Sequence, residues 1–291
     1  MSAHHSRAPR FRSVLAAAAS AVTVAALTVP VLATSAGAAP TLDAPHRPSA
    51  AARSVGIDRP GQAYMGWSAR RQASQLAAPQ LTASAPSGVR GIDVSSHQGN
   101  VDWSRQWSAG KRFAYVKATE GTGYHNPYFA QQYVGSYDVG MTRGAYHFAL
   151  PNVSSGATQA NYFVDHGGGW SRDGKTLPGV LDIEYNPYSG TCYGMSRARM
   201  RSWISSFVNQ YRARTGRDAI IYTTTDWWRT CTGNTSAFSG TNPLWIARYA
   251  ASPGTLPGGW SYHTFWQYAS TPMDQDVFNG SSTRLRALAL G

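Results

Sequence analysis

The chain has 291 residues, 42 % of them apolar, and 26 Lys and Arg against 14 Asp and Glu give it a formal net charge of +12. This length accommodates one large domain or two ordinary ones. A basic surplus suits nucleic acid, an anionic membrane or an anionic polymer such as a cell wall, but the arginines are scattered and no aromatic RNA motif accompanies them, which argues against nucleic acid.

Residues 1–38 read as an export signal. Arg7, Arg10 and Arg12 form a basic start, an apolar run extends from Val14 to Leu32, and Ala36, Gly37 and Ala38 supply the small-x-small pattern of a cleavage site. No later segment is long and apolar enough to span a bilayer, so the mature product is expected to be secreted and extracellular, with no stable membrane anchor. Residues 39–87 are rich in Ala, Ser, Pro, Gln and Arg with little periodicity, which predicts a disordered linker or propeptide. Within it, "PGQAYMGWS" (60–68) has a more ordered character that the sequence does not explain, and Arg70–Arg71 is a dibasic pair of the kind used in processing.

From Gly88 onward, apolar runs of strand length recur at residues 89–95, 113–119, 143–149, 179–184, 219–224, 244–249, 263–269 and 274–278. Helical stretches fall between the first six, at 102–109, 127–139, 154–167, 196–215 and about 226–230. The clearest is amphipathic, with Ser196 as N-cap and Gly216 as stop. Continuous apolar strands alternating with helices predict an α/β fold over residues 88–291: an irregular, TIM-barrel-like β/α barrel of eight strands and about five helices. The connection "TPMDQ" is too short for a crossover helix, so the last strands are expected to run partly antiparallel.

Acids mark the ends of these strands. In "GVLDIEYN", Asp182 and Glu184 lie two residues apart on a strand and face the same side. The chain has only two glutamates, Glu120 and Glu184. Asp93 ends the first strand and Asp276 lies in the last, its neighbour if the barrel closes. Four acids from three strands thus converge at the C-terminal strand ends, where barrel enzymes place their chemistry. No His or carboxylate pair has metal-ligand spacing, so neither a metal nor another cofactor is expected; His97 and His147 read as hydrogen-bonding scaffold. Aromatic residues crowd the same ends, and Tyr146, Tyr185, Tyr222, Trp245 and Trp266 are candidate platforms for a sugar polymer. Cys192 and Cys231, in an exported chain, most simply form one disulfide. From Gly88 on, 18 basic residues face 12 acidic ones, a net +6, so part of any attraction to an anionic wall belongs to the barrel.

The segments "GIDVSSHQGNVDW", "FAYVKATEG", "TRGAYHFA", "LPGVLDIE", "PLWIARY" and "FWQY" resemble, in order, the signature segments of the glycoside hydrolase family 25 lysozymes, the Chalaropsis-type or cellosyl-like muramidases. The resemblance covers Gly88 to about Gly291. It implies a β/α barrel that hydrolyses the β-1,4 bond between N-acetylmuramic acid and N-acetylglucosamine in peptidoglycan, as a monomer. It also implies Glu184 as the acid, Asp182 as its stabilising or acetamido-orienting partner, and Asp93 and Asp276 as further cleft acids. Retention through the substrate's acetamido group and inversion by an activated water both stay open. A chitinase-like glycosidase is the first rival, but its DxxDxDxE pattern would need Asp where this chain has Leu177 and Val180. A catalytically inactive carbohydrate-binding barrel is the second, and the presence of all four acids speaks against it.

Overall fold

A computed structural model describes residues 47–69 and 86–291, all within one compact unit. The expected export signal and Arg70–Arg71 lie outside the described residues. The strands are β1 (Val89–Val94), β2 (Phe113–Glu120), β3 (Tyr124–His125), β4 (Thr142–Phe148), β5 (Val180–Asp182), β6 (Ile220–Thr223), β7 (Leu244–Ala247), β8 (Phe265–Ala269) and β9 (Gln275–Phe278). β1, β2 and β4 to β8 pair in parallel, each with the next. β9 closes the barrel between β8 and β1, antiparallel to both, and β3 only extends the end of β2. Antiparallel pairing is thus confined to one barrel strand. The connection from Ala269 to Gln275 leaves the chain no length to return to the starting edge, so it must reverse.

The helices are α1 (Ala50–Arg53), α2 (Trp103–Ser108), α3 (Phe129–Asp138), α4 (Gly156–Phe163), α5 (Arg197–Thr215), α6 (Thr225–Thr232) and α7 (Ser282–Leu290). Of these, α2 to α6 coincide with the five stretches read from the sequence, whereas α1 and the C-terminal α7 were not foreseen. α5 shows why such a reading works. The Ser196 hydroxyl accepts from the Arg199 N–H, Gly216 ends the helix at φ +72°, and Met200, Trp203, Ile204, Phe207, Val208 and Tyr211 form one buried face.

Strand alternation sorts the core into two layers. Phe113, Tyr115, Tyr146, Val180, Ile220, Tyr222, Trp245 and Phe265 fill the barrel interior, while Leu181, Ile183, Ile221, Leu244, Ile246 and Trp266 pack outward with the helices. The interior is a solid aromatic stack: Tyr115 and Trp245 lie 4.9 Å apart between ring centres, and Trp245 and Phe265 5.2 Å. That stack forms the floor on which the acids stand. Cys192 and Cys231 are disulfide-bonded, tying the chain beyond β5 to α6 across a sequence separation of 39 residues. In the chain-entropy account this closure is worth about 4 kcal/mol.

Residues 47–69 depart from the expected disorder. Ser49 caps α1, its N–H bonds the Pro187 carbonyl at 2.9 Å, and Ile57, Ala63, Tyr64, Met65, Trp67 and Ser68 are buried against the barrel. Burying a side chain such as Met65 contributes roughly 1.5–3 kcal/mol. The segment has little periodicity because its helical pieces, α1 and the turn at residues 67–69, are short and joined by irregular backbone that follows the barrel mouth.

Candidate active site

Asp182 ends β5, and Glu184 follows in extended backbone on the same side. Asp93 near the end of β1 and Asp276 on β9 join them, because Asp276 pairs in register with both Gly91 and Gln267. All four carboxyl groups are buried. Gln267 donates to Asp93 Oδ2 at 2.7 Å, and its own Oε1 accepts from the hydroxyls of Tyr222 at 2.6 Å and Tyr249 at 3.0 Å. The two tyrosines therefore fix the orientation of the amide and point its N–H at the acid. Among the described residues, no N–H group or hydroxyl outside the acids reaches either oxygen of Asp182 or of Asp276; each instead faces another carboxyl group within hydrogen-bond reach, Glu184 for Asp182 and Asp93 for Asp276.

Burial sets the electrostatics. It pushes Asp93 up to about 7, against the opposing hydrogen bond from Gln267. Burial likewise raises Asp182 and Asp276 well above the carboxylate range, assisted by the charge of Glu184 in one case and of Asp93 in the other. Glu184 rises to about 7 through burial, although three donors favour its charged form: the Gly66 N–H at 2.8 Å on Oε1, and the Ser68 N–H at 3.2 Å and hydroxyl at 2.7 Å on Oε2. Two buried cations face the group: Lys111, whose charge opposes the rise of Asp276, and Lys117. Lys117 donates to Glu120 and to the carbonyls of Gly61 and Ala63, and burial lowers its pKa while Glu120 opposes the shift.

These shifts predict how stability depends on pH. A carboxyl whose folded pKa exceeds its unfolded value stabilises the fold fully below the unfolded value, near 4, and loses that contribution as pH rises through the folded value, here about 7 and above. Each pKa unit of difference corresponds to about 1.4 kcal/mol. His147, lowered to about 3 by burial, and the more exposed His125 and His263, also lowered by burial, act in the opposite sense between their two values, but of the three only His147 is fully buried, against four buried carboxyl groups. Thermal unfolding of the intact chain should therefore occur at a higher temperature at pH 5 than at pH 8, with a smaller difference in Asp276→Asn. An equal or larger difference in that variant would contradict the assignment.

The candidate aromatic residues divide. Tyr146 lies inside the barrel with its hydroxyl 3.5 Å from the Met65 N–H, and Tyr222 holds Gln267. Tyr185 is partly buried; its hydroxyl donates to Asp226 at 2.6 Å and its carbonyl accepts from the Trp67 indole at 3.0 Å. Trp245 is sealed in the aromatic floor, and Trp266 faces outward, donating to the Arg248 carbonyl at 2.8 Å. Neither stands as the expected platform in the cleft: Trp245 lies a layer too deep, and Trp266 has the opposite strand parity from Gln267. His147 also faces the helices, between Thr119 at 2.7 Å and Gln159 at 2.9 Å. His97 Nε2 donates to the Gln62 carbonyl at 2.6 Å.

The family model for glycosyl hydrolases family 25 matches residues 92–277, nearly the whole barrel. The chain belongs to family 25. Among its relatives, lysozyme M1 of Streptomyces globisporus is 50 % identical over 241 residues, covering 79 % of this chain and 82 % of that protein. Residues 88–291 make up only about 70 % of the chain, so this similarity extends upstream of Gly88. The N,O-diacetylmuramidase of Chalaropsis sp. is 49 % identical over 210 residues, 70 % of this chain and all of that protein. The solved structure of a muramidase from Acremonium alcalophilum superposes with a TM-score of 0.69 at 55 % identity, covering 70 % of this chain and 99 % of that one. Around the four acids of this family 25 barrel stand residues to which the sequence reading gave no role: Lys117, Glu120, Tyr188, whose hydroxyl donates to Glu120, Tyr249 and Gln267. The signal was present, since four of them fall in or at the end of the segments "FAYVKATEG", "PLWIARY" and "FWQY".

Proposed function

We propose that this family 25 glycoside hydrolase is a secreted lysozyme that cleaves the β-1,4 bond between N-acetylmuramic acid and N-acetylglucosamine in bacterial peptidoglycan. The observation that carries the reading is Glu184, buried beside Asp182 and raised to about 7, so that near neutrality it retains a proton to give. As the bond between the anomeric carbon and the bridging oxygen breaks, the Glu184 proton passes to that oxygen and the bonding electrons leave with it. Positive charge then develops at the anomeric carbon. Asp182 would accept the substrate's acetamido N–H or, once ionised, stabilise that charge; in support, no N–H group or hydroxyl outside the acids occupies its oxygens among the described residues. Asp93 and Asp276, tied to Gln267 and β1, complete the acidic wall of the cleft.

Export follows from residues 1–38, which place the enzyme outside the cell with its substrate. The net charge of +6 from Gly88 on favours an anionic wall. The enzyme is expected to work as a monomer on the polymer, with the disulfide suited to an oxidising exterior.

Purified bacterial walls provide the test. Incubation with the enzyme should clear their turbidity and release fragments whose new reducing ends are N-acetylmuramic acid. New reducing ends of N-acetylglucosamine would instead assign the other glycosidic bond, and clearing without any new reducing end would remove the glycosidase reading altogether.

A further inference from the structure

Three features converge on residues 61–68. Their backbone takes up the polar groups of the cleft: Gly66 and Ser68 bond Glu184 as described, the Gly61 N–H donates to Glu120 at 3.0 Å, and Lys117 donates to the Gly61 and Ala63 carbonyls. Their side chains seal it, for Met65 enters the barrel interior beside Tyr146 and Tyr222, and Trp67 covers the chain after Glu184. Gly66 sits at φ +81°, where a Cβ would lie 2.3 Å from both Gln267 Oε1 and Tyr249 Oη. Only a residue without a side chain lets the backbone approach the acids so closely.

We infer that residues 47–69 are a built-in inhibitor: they occupy the cleft in place of the glycan and hold the chain latent until they are displaced. The inference rests on the lysozyme reading above. A glycosidic oxygen must come within hydrogen-bond reach of Glu184 to receive its proton, and that space holds the Gly66 and Ser68 amides. The segment also fills the hydrogen-bonding positions of the acid: the Gly66 N–H lies on Oε1, and the Ser68 N–H and hydroxyl lie on Oε2, where a glycan would have to approach. Glycan and segment are therefore mutually exclusive, and the apparent affinity for glycan falls with the fraction of molecules in which the cleft is open. While the segment is joined to the barrel it competes intramolecularly; once detached it competes only at its bulk concentration.

Intact full-length chain, its mass confirmed before and after assay, is compared with Gly66→Val, Trp67→Ala and Ser68→Ala. Two quantities are read: binding of a tetrasaccharide of alternating N-acetylmuramic acid and N-acetylglucosamine by calorimetry, and the rate of wall clearing. Each variant should bind the tetrasaccharide and clear walls faster than the parent, by about tenfold or more in Gly66→Val, where the side chain cannot be accommodated. Ser68→Ala and Trp67→Ala remove contacts without adding bulk, so they carry the test if Gly66→Val fails to fold. Equal binding and equal clearing in the parent and all folded variants would overturn the inference. A gain in binding without clearing would uphold the inhibitory contact and count against the lysozyme reading instead.

Discussion

Glu184→Gln should clear walls about 10²- to 10⁴-fold more slowly than its parent, the range over which a positioned general acid assists. The comparison belongs on the Gly66→Val background, so that the seated segment, which contacts the same side chain, is not a second variable. Glutamine preserves the size and much of the hydrogen bonding of the side chain but has no proton to transfer to a departing oxygen. On a synthetic glycoside whose leaving group departs as a stable anion, protonation is not required, and the loss should be much smaller. The pH profile supplies an independent check. The parent should lose activity as pH rises through the Glu184 value, about 7 with the segment seated and shifted once the cleft is wet, and that limb should vanish from the residual activity of Glu184→Gln. A folded Glu184→Gln enzyme that clears walls at the parent rate would remove Glu184 from the role of acid.

Asp182→Asn should behave differently. Charge develops at the anomeric carbon whatever group leaves, so the loss, about 10²- to 10³-fold by analogy with removal of a single electrostatic stabiliser, should be similar on walls and on the synthetic glycoside. Stability should move the other way. Asp182 is buried beside a second acid, Glu184, with no N–H group or hydroxyl outside the acids on either oxygen among the described residues, so the native fold at pH 7 bears the cost of keeping it there. The amide cannot ionise, and the variant should unfold at a temperature equal to or above that of the parent. If Asp182 merely held the end of β5 in place, activity and stability would fall together.

The parts of this protein that the sequence by itself determined are those carried by short-range pattern. Apolar runs separated by capped helices specify parallel strands with covering helices, because each run must bury both faces and each return must cross the sheet. The two-residue spacing of Asp182 and Glu184 turns both to the inward side, one at the end of β5 and the other in the extended backbone that continues it, since side chains alternate along such backbone. Closure brought Asp93 and Asp276 together as expected, because a short link after Ala269 forces the last strand to lie against the first.

Depth and docking were decided only by the tertiary structure. Trp245 and Trp266 both sit in apolar strands at the expected end of the barrel, yet one is sealed in the interior and the other turned to the helices. The depth of Trp245 follows from the stagger between neighbouring strands, which no single strand encodes, and the outward turn of Trp266 from which parity of β8 the closed barrel takes inside. The larger case is residues 47–69. Read alone, the stretch has neither helical nor strand period, and only its first half, through the Ser49 cap and the Gln62 side chain, finds local side-chain hydrogen-bond partners. Its partners are Glu120, Tyr146, Glu184 and Gln267, up to 202 residues further along the chain, and the surface that buries Met65 and Trp67 exists only once the barrel has closed. A segment that owes its order to a site assembled from distant strands leaves no periodic trace of that order in its own sequence.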